Sequence, residues 1–322
     1  MVPVVWMSHV PADPQIGGHV EDSILRLQYE QLEFERLATL LHNNFEGGSN
    51  LLNSRYLSWL YQSGSTVSAS AVVALSPAGE YLAFMGVKCF PFVYEGVEYP
   101  NYVPSNVIVD AEHRNKNLFS KMIQLLKSDL IGERCFLSGY PNDNAYPFWK
   151  RHKMNFQQEM KPTVCAGLGL HRGAASCLSK KNIKEIEKYN FDRLNDWQAA
   201  QNYPVAKVTG AILLWRYLEH PSTRYIIKLF HDNYHVDGYI AYAMKKHVAI
   251  VVDAQGRGLK HMKNMFRLHP TIAILAERQQ SISNTLLNKI TRKQIRYFMT
   301  PINIDGCGKE IIRYSLFTAD FI

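Results

Sequence analysis

Ser105-Asn106-Val107-Ile108-Val109-Asp110-Ala111-Glu112-His113-Arg114-Asn115-Lys116-Asn117-Leu118-Phe119-Ser120-Lys121-Met122 is the stretch whose reading decides the fold. Its apolar, β-branched start has the length and composition of a buried strand. After Asn117, the residues Leu118, Met122, Leu125 and Leu126 recur at helical spacing. Between strand and helix lies a short basic turn whose asparagines, Asn115 and Asn117, tolerate left-handed backbone geometry as glycine does. Such a turn leaves N–H groups unpaired at a helix N-terminus, beside Arg114 and Lys116. That combination is a cradle for a pyrophosphate.

Composition limits what such a cradle serves. With 322 residues the chain is long enough for one large domain or two ordinary ones. A hydrophobic content of 47% against 20% charged residues is that of a globular protein. No apolar run approaches a membrane span and no signal peptide is visible, so a cytoplasmic protein with no membrane partner is expected. The five cysteines, Cys89, Cys135, Cys165, Cys177 and Cys307, are scattered without metal-ligand spacing. Reduced thiols and no metal are therefore expected. A net charge of +8 suits anionic ligands. Its clusters (Lys180-Lys181, Lys245-Lys246, Arg257 to Lys263) lack the aromatic interleaving of a single-strand nucleic-acid binder, and no nucleic-acid partner is expected.

Along the chain, residues 22 to 45 read as a helix, followed by a helical turn at Ser54 to Gln62. Strand-like segments follow at Ser68 to Leu75, Tyr81 to Phe90 and Val103 to Val109, with hairpin-turn character at Tyr94 to Tyr99. Another strand reads from Cys135 to Gly139. The second half repeats this order. Tyr56-Leu57-Ser58-Trp59-Leu60-Tyr61 is echoed by Ile212-Leu213-Leu214-Trp215-Arg216-Tyr217. Strands then read at Tyr225 to Phe230, Asp237 to Lys245 and Val248 to Val252, and Val252-Asp253-Ala254 echoes Val109-Asp110-Ala111. The segment Cys165 to Lys184, with Gly167, Gly169 and Gly173, reads as the connection. After Val252 the chain runs Gln255-Gly256-Arg257-Gly258-Leu259, so the cradle is not repeated.

The cradle stretch resembles the acyl-CoA-binding segment of the GNAT N-acyltransferase superfamily, which follows Q/R-x-x-G-x-G/A. Glu112, Asn115 and Asn117 stand at its three anchors and all depart from the pattern. The resemblance also rests on the preceding strand, on Leu118-Phe119, and on Pro141-Asn142-Asp143-Asn144-Ala145-Tyr146-Pro147-Phe148-Trp149-Lys150, which resembles the family's second CoA-side element. Asn155-Phe156 replaces the Gly-Phe that follows that helix in family members. The resemblance implies an α/β (α+β) fold, a tandem of two GNAT-like domains, each a mixed, mostly antiparallel sheet flanked by helices. The first, residues 1–165, would carry a splayed parallel strand pair and bind acyl-CoA. The second, residues 166–322, would be degenerate and supply acceptor binding.

The resemblance further implies particular roles. The pantetheine arm would lie between the strands ending at Val109 and near Gly139, with the pyrophosphate on the N–H groups of Asn115, Lys116, Asn117, Leu118 and Phe119, beside Arg114. Asn142 joins this CoA-binding set. An amine would attack the thioester directly, with Val109 or Ile108 donating a backbone N–H to the oxyanion. Tyr146 is the nearest phenol to the family's acid position. Asn106 stands where family members can carry an acid, but cannot abstract a proton. The two-domain layout with Trp215-Arg216-Tyr217-Leu218-Glu219-His220-Pro221 is similar to bacterial N-acyltransferases of dTDP- or UDP-linked amino deoxysugars. Arg216 and His220 are then candidates for an acceptor phosphate, and Tyr217 and Tyr225 for acceptor contact, although core packing accounts better for Tyr217 and at least as well for Tyr225. Acetyl-CoA or 3-hydroxybutyryl-CoA is the implied donor and a nucleotide-linked amino sugar the implied partner. A peptide or lipid amine, or a scaffold that only binds ligand, is the alternative.

Overall fold

A computed structural model describes residues 22–44, 53–61, 68–154, 161–165, 175–245, 248–258, 271–275, 287–288 and 298–304. The first half runs β1 (Ser23–Gln28), α1 (Phe34–Asn44), α2 (Ser54–Tyr61), β2 (Ser68–Leu75), β3 (Tyr81–Tyr94), β4 (Val97–Val109), α3 (Leu118–Asp129), β5 (Cys135–Gly139), α4 (Tyr146–Arg151) and β6 (Lys161–Cys165). The second runs β7 (Ala175–Leu178), α5 (Asp192–Ala199), β8 (Val205–Ala206), α6 (Gly210–Leu213), β9 (Tyr225–Asp232), β10 (His235–Lys245), β11 (Val248–Gly256), β12 (Thr271–Leu275), β13 (Leu287–Asn288) and β14 (Phe298–Ile302).

Two sheets of one topology result. The first has the order β1-β2-β3-β4-β5-β14, with β8 added against β3; the second has β13-β6-β12-β11-β10-β9-β7. In each, a run of antiparallel strands ends in one parallel pair, β4 with β5 and β11 with β12, followed by an antiparallel strand, beyond which the second sheet adds β13. The halves trade the strand that follows the parallel pair. β14 closes the first sheet on β5, while β6 pairs with β12 in the second. The expected boundary between residues 165 and 166 thus falls at the end of a strand that lies in the second sheet.

The expected helix over 22 to 45 is half strand. Residues 23–28 form β1, paired along its whole length with β2, and the helix begins only at Phe34. The spacing of Ile24, Leu25 and Leu27 fits either period, and β2 offers an edge whose N–H and C=O groups need partners. Other strands are longer than the sequence indicates. β3 and β4 continue through the opposed Pro91 and Pro100 to a tight hairpin whose Glu95 and Gly96 both have positive φ, the geometry of a twist-matched two-residue turn. The connection Cys165 to Lys184 contains β7, which pairs with β9, and a 3-10 segment from Lys180. Gly167, Gly169, Gly173, Asn155-Phe156, Cys307, Lys246 and Leu259 to Lys263 lie outside the described residues.

The echoed Trp motifs meet each other. Trp59 and Trp215 stack with centroids 5.4 Å apart, and each indole N–H donates to the other's carbonyl oxygen at 3.0 Å. This reciprocal contact joins α2 to the single π-helical turn at Leu214–Leu218 and buries two large aromatic surfaces with both N–H groups satisfied. One face of the first sheet packs on α3 through Met85, Val87, Met122 and Leu137. The opposite face is covered by α1 and α2 at Phe84 and Ile108 and by the second half at Phe90, Val103 and Phe136.

Candidate active site

β4 and β5 form a parallel ladder only at Asn101–Phe136 and Tyr102–Leu137. β4 then continues to Val109 without that partner, so the strands part into a V, as the resemblance implies. The direction of the free amides follows from the other edge. Asp110 N–H donates to Leu82 O on β3 at 2.9 Å, and successive amides of a strand point to opposite sides. The Val109 N–H therefore faces the gap, which favours Val109 over Ile108 as a donor there. Ile108 turns its side chain into the α1–α2 core, 7% exposed.

At the open end of the V, residues 111–116 form a 3-10 turn capped by Asp110, whose side chain accepts from Glu112 N–H at 2.9 Å. Burial alone would raise the Asp110 carboxyl, but the bonds from Glu112, Asn44 and His113 outweigh it and hold it below its ordinary value. Asn117 is left-handed, with φ 56°, as the turn requires. Asn115 is not; it lies within the 3-10 turn, where i to i+3 bonding sets an ordinary negative φ. Asn117 makes no side-chain cap, and the first intrahelical bond of α3 is Lys121 N–H to Asn117 O at 3.2 Å. The N–H groups of Leu118, Phe119 and Ser120 have no acceptor within the helix. Arg114, Asn115, Lys116 and Asn117 are exposed around them. Arg114 Nε reaches Val109 O at 3.5 Å, and Lys116 pairs with Asp22 at 2.8 Å. Exposed cations beside uncapped helical amides fit an anionic diphosphate.

In mid-strand, β4 carries a bulge. Phe84 faces Ile108 but Gly86 faces Ser105, so one residue of β4 is extra, and Asn106 within the bulge has φ 50°. Tyr61 holds this place. Its hydroxyl accepts from Asn106 Nδ2 at 2.8 Å, and its ring fills the notch over Gly86, where an added Cβ would stand 2.2 Å from the hydroxyl. Below the bulge, Asn101, Ser105 and Ser138 face the second half, on the same side as Val103 and Phe136. Asn101 and Ser138 are fully buried, and their side-chain polar atoms have no partner among the described residues, nor has Ser105 Oγ. Buried polar atoms are ordinarily paired. A line of unpaired ones along a parting strand pair fits a ligand that brings its own polar groups into the V.

After β5 the chain makes the Asn142 turn and enters α4. Asn142 Oδ1 accepts from Ala145 N–H at 2.8 Å and its carbonyl from Tyr146 N–H at 2.9 Å, so Asn142 shapes the entry to α4. Tyr146, half-buried, begins that helix beside Pro147. Phe119 packs against Phe148 and Trp149 at 5.0 and 5.6 Å, and Trp149 against Phe298 at 4.9 Å. These rings bind the cradle helix, α4 and the lent strand β14 into one wall.

In the second half, Arg216, Tyr217, His220 and Tyr225 come together and are all buried. Tyr225 lies 5.3 Å from Tyr217 and 5.2 Å from His220, and His220 lies 4.4 Å from Trp59. His220 Nδ1 accepts from Ser222 and Thr223 N–H at 3.3 and 2.9 Å, which fixes the ring's orientation. Tyr217 and Tyr239 both donate to Asp253. Burial and the adjacent carboxylate push both phenols well above their ordinary value. Past Asp253 the chain turns inward. Gly256 has φ 59°, and Cβ atoms on Gly256 or Gly258 would collide with the backbone of Asp237 or Tyr239. That turn lies close against β10, and the residues after Gly258 are outside the described ones.

Sequence reasoning missed Tyr61, Gly86, Asn101, Ser105 and Ser138. Gly86 inside an apolar strand was the available sign of a close approach, and the polar side chains interrupt otherwise apolar runs. Their alignment needs the strand register.

No protein-family model matches the chain, and no curated protein matches it in sequence. Solved structures do match in fold. A protein of Enterococcus faecalis V583 described as a probable N-acyltransferase superposes with TM-score 0.64 at 13% identity, over 88% of this chain and 73% of its own. A GCN5-related N-acetyltransferase of Kribbella flavida gives 0.60 at 12%, over 88% and 72%. The N-myristoyltransferase of Saccharomyces cerevisiae with bound myristoyl-CoA gives 0.53 at 7%, over 90% and 81%. At these identities the likeness is one of fold: two sheets, each ending in a parallel pair, on the plan of the GCN5-related N-acetyltransferases.

Proposed function

We propose that this protein is an acyl-CoA-dependent N-acyltransferase. The observation that carries this reading is the V between β4 and β5, which opens onto the left-handed Asn117 turn and the uncapped start of α3. Neighbours of this fold include N-acetyltransferases, and one holds myristoyl-CoA.

The diphosphate of CoA sits on the amides of Asn117 to Ser120 with Arg114 and Lys116 beside them, and the pantetheine arm follows β4 toward the bulge. The acceptor amine attacks the thioester carbonyl carbon. The C–N bond forms, the C–S bond breaks, and the Val109 N–H stabilises the oxyanion between these events. The amine gives up a proton to water, and the departing thiolate, from a thiol of pKa about 8.5, takes one from Tyr146. Asn106 is kept in place by Tyr61 and shapes the bulge.

The acceptor we propose is the amino group of a dTDP- or UDP-linked amino deoxysugar, met at the face where Arg216, Tyr217, His220 and Tyr225 gather. Support comes from the resemblance of the Trp215 to Pro221 segment and from the contact of Tyr225 with Tyr217 and with His220, which meets Trp59 of α2. Surface polysaccharide synthesis is the corresponding role, and the cytoplasm its place. Thiol release from acetyl-CoA and 3-hydroxybutyryl-CoA against a panel of such sugars tests it. Release dependent on one sugar is the expected result. Release with peptide or lipid amines alone moves the acceptor, and absence of CoA binding leaves a scaffold without this chemistry.

A further inference from the structure

The V between β4 and β5 narrows toward Asn101 and Tyr102, where the ladder closes. An arm anchored by its diphosphate at Asn117 and lying in the V delivers whatever its thioester carries to that closed end. An aliphatic acyl chain is best received there by apolar side chains alone. Val103 and Phe136 meet this requirement, but Asn101, Ser105 and Ser138 do not. Four of the ten buried side-chain nitrogen and oxygen atoms without a partner among the described residues belong to these three side chains. Asn101 leaves both its oxygen and its nitrogen unpaired at 0% exposure, and Ser138 its hydroxyl at 0%.

The register puts them on one surface. Asn101 is level with Phe136, so Ser138 stands one step further along the same face, and Ser105 lies a step beyond that on β4. An amide and two hydroxyls there supply both donors and acceptors. Leaving such groups unpaired in the core costs about 1–3 kcal/mol each, which an acyl group with its own hydroxyl or amide recovers and a hydrocarbon chain does not.

We propose that the acyl group this protein selects carries a hydrogen-bonding substituent on its chain, received by Asn101 and Ser138 at the closed end of the V. This rests on the acyl-CoA reading above and narrows the donor to hydroxyacyl or amidoacyl thioesters in preference to acetyl or simple alkanoyl ones. Asn101 accepts from or donates to the substituent, and Ser138 completes the pair. Ser105 lines the approach.

Calorimetric titration of the full chain with butyryl-CoA and with each enantiomer of 3-hydroxybutyryl-CoA tests it without needing the acceptor. One hydroxybutyryl enantiomer is expected to bind at least roughly tenfold tighter than butyryl-CoA. In Ser138→Ala, and separately in Asn101→Ala, that preference should fall below about threefold while butyryl-CoA affinity stays within about twofold. Ser138→Ala removes an unpaired buried hydroxyl, so its thermal midpoint should not drop, which checks that the variant is folded. Equal binding of butyryl- and hydroxybutyryl-CoA by the native chain overturns the inference and leaves the acyltransferase reading standing. So does a preference retained in both variants. No binding of any of these thioesters, nor of CoA, overturns the acyltransferase reading itself.

Discussion

The two halves carry the same device to different ends. In each, a tyrosine at the end of an echoed Trp motif reaches across to the strand of the parallel pair, Tyr61 to Asn106 and Tyr217 to Asp253. In each, that strand has a bulge, opposite Gly86 on β4 and near Ala241 on β11. Beyond the bulge they diverge. The first half leaves its sheet through a 3-10 turn and one left-handed asparagine, whose side chain does not cap the twelve-residue helix that follows. The second half folds Gly256 to Gly258 onto its own strand and ties Arg257 to Asp237. The two turns thus differ in what they present: a helix start without a side-chain cap after Asn117, and close backbone contact with β10 at Gly256 and Gly258.

If the halves share a structural seam and differ in their turns, substitutions should separate stability from binding. The largest effect belongs to the seam. Trp59→Ala removes a stacked indole and the hydrogen bond its N–H donates to Trp215 O, and should cost about 3–5 kcal/mol by chemical denaturation. A cost below about 1 kcal/mol would mean that the halves do not depend on this contact. Next is Asp253→Ala, which strands the buried hydroxyls of Tyr217 and Tyr239. About 2–4 kcal/mol of stability should go, with CoA affinity retained. Lost CoA affinity in a folded Asp253→Ala would place binding in both halves.

The remaining effects concern the first half. Tyr146→Phe should lower turnover by roughly 10²-fold without changing acyl-CoA affinity if the phenol protonates the thiolate; an unaltered rate would take Tyr146 out of that role. Asn117→Val forces a β-branched side chain into φ 56° and should weaken CoA binding about tenfold, from a strain of about 1–2 kcal/mol. Asn117→Gly should bind as the native chain does. The smallest effect is expected in the second half, where Arg257→Ala should change CoA affinity less than about twofold, because Arg257 serves Asp237 rather than a ligand.

Much of this was open to sequence reading because it is local. The run Val107 to Val109, the turn asparagines and the helical spacing after Leu118 announce the cradle within eighteen residues, and the Trp motifs announce the repeat. What escaped is non-local. Residues 23–28 satisfy helical and strand spacing equally, and only the edge of β2 makes them a strand. The trade of β6 for β14 pairs segments more than a hundred residues apart, with no nearby signal. Tyr61 meets Asn106 across 45 residues, and Asn101 and Ser138 gain meaning only from the register that puts them side by side.

The central claim, that one half alone holds acyl-CoA, is tested most directly by calorimetric titration of the native chain, Asn117→Val and Arg257→Ala with CoA. One site per chain, weakened in Asn117→Val and unchanged in Arg257→Ala, is the expected result. Two sites, no site, or a single site indifferent to Asn117 and sensitive to Arg257 would contradict it.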